Sequence, residues 1–150
     1  MGEFHFARCK KENWYDVLCK MKAGGVTVVA TYLFWIYHEE MEGQFDFTGD
    51  LDIRAFILEC RKVGLEVVIR IGPWAHGECR NGGFPDWLIE KPYALRDNNP
   101  DYMVKARIFY EKIFEQVKGL FYKDGGNIIG IQFENELVDN AEHLLALKNM

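Results

Sequence analysis

The feature that most constrains this chain is a repeated order of two periodicities. A helix-period amphipathic segment is followed by glycine and then by a short apolar, β-branched run, and the unit recurs along the sequence. Residues 12–23 carry Trp14, Val17, Leu18 and Met21 at i, i+3, i+4 and i+7, the spacing of one helix face. Gly24-Gly25 stops that helix, because glycine accepts the left-handed conformation that follows a helix end. Residues 26–34 then read as a strand covered on both faces. Residues 50–63, with Ile53, Phe56, Ile57 and Cys60 on one face and Gly64 behind them, lead into a strand over 65–71. Residues 100–121 form the next helix, with Ala106, Tyr110, Ile113, Phe114 and Val117 as its buried stripe. Gly125-Gly126 breaks it, and a strand follows over 127–133. Phe4 to Phe6 reads as the tail of a first strand, and residues 141–148 as the start of another helix.

Strands alternating with helices pair in parallel through right-handed crossovers. Two architectures fit, an open doubly wound sheet or half of an eight-stranded barrel. The first usually carries a glycine-rich phosphate turn after a strand, and none is present. Polar and aromatic residues instead cluster after every strand: Arg8, Trp35 to Glu40, Trp74 to Asn81, and Glu134 to Glu136. Barrel active sites are assembled from these loops. The expectation is an α/β chain forming a partial (β/α)8 TIM barrel, strands 1–4 with helices 1–3.

A net charge of -5, with no basic stripe to neutralise phosphates, argues against nucleic acid and gives no reason to expect an anionic membrane surface. No apolar run is long enough for a membrane span. Residues 1–6 show neither a basic n-region nor an apolar h-region, so no signal peptide is visible and a cytoplasmic setting is slightly favoured. Cys9, Cys19, Cys60 and Cys79 are widely spaced and read as free thiols. Cys19 and Cys60 fall on apolar helix faces.

Two clusters could carry chemistry. In Gln132-Phe133-Glu134-Asn135-Glu136, a persisting strand would point both glutamates the same way. They are either site carboxylates or solvated acids just past the strand. Glycoside hydrolysis needs one protonated carboxyl to release the leaving oxygen and a second carboxylate to attack the sugar carbon, about 5–5.5 Å apart in retaining enzymes. Asn135 beside such an acid can hold a sugar hydroxyl. The long connection over 72–99 contains the second cluster, from Gly72-Pro73-Trp74 to Pro85-Asp86-Trp87-Leu88. Its tryptophans offer flat faces to sugar C–H surfaces, and His76 and Glu78 offer hydrogen bonds. The spacing of His76, Glu78 and Cys79 matches no standard metal site, and no cofactor is expected. Tyr32 is either a pocket hydroxyl or a core residue. His38, Glu39 and Glu40 read as a solvated loop. Arg70, inside a strand, must find a carboxylate partner.

Four segments together resemble glycoside hydrolase family 35, the β-galactosidase family. They are Gly2-Glu3-Phe4-His5-Phe6-Ala7-Arg8; Thr31-Tyr32-Leu33-Phe34-Trp35 with His38-Glu39; Arg70-Ile71-Gly72-Pro73 through Gly82-Gly83-Phe84-Pro85-Asp86-Trp87-Leu88; and Gln132-Phe133-Glu134-Asn135-Glu136. The resemblance implies that Glu136 is the general acid/base and that Asn135 binds the hydroxyl next to the anomeric carbon. It implies that Tyr32 and Glu78 hold galactose hydroxyls, with His76 and the Gly77 backbone beside them. The sequence departs from the family pattern at Trp74, where Tyr is common, and at His76, where Cys or Asn is. It departs again at Gly77, where Ala is common, and at Leu137, where Tyr is. The family's nucleophilic glutamate lies on the seventh strand, beyond Met150.

Residues 1–150 are therefore expected to be the N-terminal half of a catalytic barrel, incomplete at both ends and nearly inactive alone. The expected partner is a β-galactoside, and exposed sheet edges are expected to drive self-association. A non-catalytic sugar-binding protein on the same barrel, and a doubly wound binding domain unrelated to sugars, are the competing readings.

Overall fold

The computed structural model describes residues 1–150. The strands are β1 (Gly2–Glu3), β2 (Val28–Tyr32), β3 (Glu66–Arg70) and β4 (Ile128–Gln132). The helices are α1 (Trp14–Ala23), α2 (Trp35–His38), α3 (Ile53–Val63), α4 (Asp86–Ile89), α5 (Pro100–Val117) and α6 (Ala141–Lys148). Local chemistry sets the ends. The Asp52 carboxylate accepts from Ala55 N at 2.9 Å to start α3, and Gly64 ends it at φ 75. Asn99 caps α5 from in front of Pro100. A Cβ on Gly126 would collide with the Leu120 carbonyl, so only glycine fits ahead of β4.

All pairings are parallel and the strand order is β1-β2-β3-β4. This order decides between the two architectures. A doubly wound sheet reverses direction at a switch point, whereas a barrel adds each strand beside the one before it. The register aligns Tyr32, Arg70 and Gln132 side by side, so the carboxyl ends of three strands form one rim.

The two faces of the sheet differ. Val29, Val67 and Ile69 face the helices and join Trp14, Phe56, Ile57 and Phe109 in one core. Trp35 stacks on Phe109 with ring centroids 4.8 Å apart, an arrangement that contributes about 1 kcal/mol beyond its area. Val68, Arg70, Gly130 and Gln132 lie on the other face, which is only partly covered. The helix layer stops short of β4. Ile131 pairs with Ile69 on the helix side yet is 47% exposed. A cleft opens beside it, lined by Ile71, Tyr110, Phe114, Phe133 and Leu147.

Several boundaries differ from the sequence expectation. The first strand is Gly2–Glu3, and residues 6–8 coil into a 3-10 turn. The cause is Trp14, whose indole N–H donates to the carbonyls of Phe6 (3.2 Å) and Cys9 (3.0 Å) while its ring meets that of Phe6 edge-on. The third long helix ends at Val117, ahead of Gly119 at φ 79, rather than at Phe121. Its buried stripe is Tyr102, Ala106, Phe109, Ile113 and Val117. Phe114, expected inside, is 52% exposed because no helix covers that side.

Asn127 links three elements from a buried position. Its side-chain N–H group donates to Ile57 O (3.2 Å) and Leu65 O (3.0 Å). Asn127→Ala removes both side-chain bonds from the buried interior and is expected to cost about 1–3 kcal/mol. The readout is a lower urea midpoint at unchanged slope, and an unmoved midpoint contradicts it.

Candidate functional site

The rim begins with Arg70. Its guanidinium pairs with the Glu3 carboxylate on β1. It lies 3.8 Å over the Tyr32 ring on β2 and donates to Asn135 Oδ1 at 2.9 Å just past β4. The carboxylate partner that Arg70 required is thus Glu3, in a pair that also reaches the candidate site. Burial pushes the Tyr32 hydroxyl up to about 12, against the pull of Arg70, so it stays a proton donor at neutral pH.

Glu134 and Glu136 do not point the same way. The strand ends at Gln132, and both glutamates adopt left-handed backbone, with φ 57 and φ 52. The alternation of a strand no longer applies there. Glu134 turns inward and is 3% exposed, while the Glu136 side chain is 77% exposed. Glu134 is held by Arg96, whose Nη2 donates at 2.6 Å and whose Nε donates at 3.2 and 3.3 Å. The same Nη2 also donates to the Asn135 carbonyl at 2.7 Å.

The Asn135 amide is oriented by its neighbours. Its Oδ1 accepts from Arg70 and from Gln132 Nε2 (3.3 Å), so its Nδ2 is the atom turned to His76 Nδ1, 3.0 Å away. An amide N–H donates, so that histidine nitrogen accepts and its proton sits on Nε2. The Glu136 carboxylate lies 3.6 Å from the same Nδ1. Trp74 meets His76 edge-on at 5.1 Å, with Arg96 4.8 Å over its ring. Tyr32, Asn135, His76 and Glu136 therefore gather at one rim.

Gly77 lies against Tyr32, where an added Cβ would come within 3.7 Å of the Tyr32 ring. A Cβ on Gly77 would sit 3.0 Å from the Phe34 ring, and its carbonyl accepts from Arg8 at 2.6 Å. Glu78 is exposed and lines a cleft with Ala7, Ile36, Tyr37 and Glu40. Trp87, expected to offer a free face, donates to the Glu39 carbonyl at 2.9 Å and packs edge-on against Trp35.

His38 and Glu39 are buried rather than solvated. Helix α2 turns them inward. Glu39 accepts from the Trp35 indole (2.6 Å) and from Gly43 N (2.7 Å), and burial pushes its carboxyl upward. His38 stacks on Phe47 and donates from Nδ1 to the Asp46 carbonyl at 2.9 Å. Arg96, Glu3 and Gln132 were missed at the sequence level. The only available signal for Arg96 was the need of a buried Glu134 for a counter-charge.

The chain matches the family model described as Glycosyl hydrolases family 35 over residues 1–149. It is 40% identical over 136 residues to the human protein named Beta-galactosidase-1-like protein 2, covering 90% of this chain and 21% of that protein. It is 39% identical over 142 residues to a β-galactosidase of Xanthomonas manihotis, covering 94% and 24%. The chain thus spans about a fifth to a quarter of the length of these curated relatives. Among solved structures it resembles an exo-β-1,4-mannosidase from Opitutaceae bacterium strain TAV5, with TM-score 0.68 and 16% identity, covering 99% of this chain and 29% of that one. It also resembles a β-galactosidase from Halorubrum lacusprofundi, with TM-score 0.67 and 19% identity, covering 94% and 21%. These likenesses bear on the fold, a partial (β/α)8 barrel.

Burial lowers His38 to about 4, so the folded chain keeps it neutral where an unfolded chain would protonate it. Stability from this residue is complete above the ordinary histidine value, near pH 6.5, and drains away as pH falls towards 4. The loss is expected to reach about 3 kcal/mol. Urea unfolding between pH 7 and 4 should show it, and His38→Gln should flatten the curve. An equally steep curve in the variant refutes the assignment.

Proposed function

The chain belongs to Glycosyl hydrolases family 35, and from that membership we propose that it supplies the proton-donating half of a retaining β-galactosidase site. The substrate is a terminal non-reducing β-D-galactosyl residue. Glu136 protonates the glycosidic oxygen while a second carboxylate attacks the sugar carbon. Glu136 then takes a proton from the water that hydrolyses the glycosyl-enzyme. Asn135 holds the hydroxyl beside the anomeric carbon, as its oriented amide suits it to do. Tyr32 and Glu78 hold galactose hydroxyls, with His76 and the Gly77 backbone beside them.

The observation that carries this reading is the Glu136 carboxylate 3.6 Å from His76, beside an Asn135 whose amide is fixed by Arg70. These groups stand where parallel strands of a barrel present catalytic residues. The exposure of Glu136 sets a further requirement. A general acid needs a site closed to water to stay protonated at neutral pH. We assign the closing wall, and the attacking carboxylate on it, to polypeptide outside these 150 residues. Residues 1–150 then form the N-terminal half of the catalytic barrel. The same exposure favours a second reading, a sugar-binding protein without chemistry.

In the complete polypeptide carrying these residues, Glu136→Gln should lower kcat/KM on lactose by about 10²–10⁴-fold. An unchanged value supports the binding-only reading. The isolated 150-residue chain should not turn over a chromogenic β-galactoside; rates of roughly 1–1000 per second contradict that. Its uncovered β4 edge should make it self-associate, seen as a concentration-dependent mass in sedimentation, and a monomer at all concentrations argues the reverse.

A further inference from the structure

We propose that Arg96 is the positioning residue for Glu136, an inference that rests on the acid/base role proposed above. Arg96 touches neither the Glu136 carboxylate nor any reacting atom. Its effect runs through the backbone. The Asn135 carbonyl belongs to the peptide that joins Asn135 to Glu136. Anchoring that oxygen to Arg96 Nη2 at 2.7 Å fixes the plane of the peptide. With φ of Glu136 held at 52, the direction of its Cα–Cβ bond is then set.

The turn would not hold this shape unaided. Glu134 and Glu136 both occupy left-handed backbone, which non-glycine residues enter only when their surroundings impose it. Glu134 N donates to the Gly72 carbonyl and Gln132 Nε2 donates to the Glu134 carbonyl, and Arg96 adds the ionic grip on the turn. The guanidinium fork grips the Glu134 carboxylate, which in turn accepts from Asn135 N at 3.0 Å. Both polar groups of the Asn135 backbone are thereby tied to one ion pair. A second, indirect route links Arg96 to the Glu136 carboxylate through side chains. Arg96 covers the Trp74 ring, which meets His76 edge-on, and His76 borders Glu136. A lysine could neutralise Glu134 but could not grip it and the Asn135 carbonyl with one planar fork.

The test compares two substrates in the complete polypeptide carrying this chain. Dinitrophenol leaves from its β-galactoside without protonation, whereas the glucose of lactose needs a proton from the acid. For Arg96→Gln, kcat/KM on lactose should fall about 100-fold, the scale of a misplaced catalytic group. The same ratio on dinitrophenyl β-galactoside should hold, and so should competitive inhibition by galactose. Arg96→Lys should keep the fold and still show the selective loss. Equal losses on both substrates, or an unaltered lactose rate, overturn the proposal. If Arg96→Gln is insoluble, the Arg96→Gln/Glu134→Gln pair removes both buried charges and is read the same way. Glu136→Ala is the control. A selective loss there without one in the Arg96 variants overturns the positioning role alone. No selective loss in Glu136→Ala overturns the glycosidase reading and this inference with it.

Discussion

A guanidinium on the inner face of a curved sheet has to be neutralised where it stands, because an unpaired charge out of water is costly. Arg70 meets that demand with a group from each of the other strands. Glu3 at β1 supplies the charge, Tyr32 at the end of β2 supplies a ring face, and Asn135 just past β4 supplies an oxygen. Each contact also orients its partner. The amide of Asn135 can present its nitrogen to His76 only because its oxygen is already taken. Charge satisfaction on the inner face and the geometry of the rim are therefore one arrangement.

The outer face follows a different rule. Large aromatic side chains, rather than polar links, lock the helices to the sheet around Phe6, Trp14 and Phe56. That packing covers β2 and β3 and thins out at β4, where Ile129 and Ile131 remain open. An apolar strand left bare beside an apolar cleft invites pairing with another chain. The polar rim and the bare edge thus lie at neighbouring places on the same strand.

Much of this was legible in the sequence. Helix and strand periodicity and the glycine stops set out the order of elements, and the polar and aromatic clusters after each strand marked the loops that carry the candidate site. The failures share a physical cause. Periodicity assumes that an element continues and that its neighbours are known. Glu134 and Glu136 diverge because the strand stops early. Phe114 is exposed because no helix packs over it, and His38 and Glu39 are buried because a short helix turns them inward. Arg96 sits 38 residues from Glu134 in a connection without periodicity, so no local pattern could join them.

The strand order has a kinetic consequence. Each strand lies beside the one that precedes it, but the crossovers are long: α2 and α3 separate β2 from β3, and α4 and α5 separate β3 from β4. Each parallel pairing therefore pays the closure entropy of a long loop before its contacts form, and the β3–β4 pairing pays the most. A chain wound in this way can build its sheet progressively as it emerges from the ribosome, each new strand templated on a finished one.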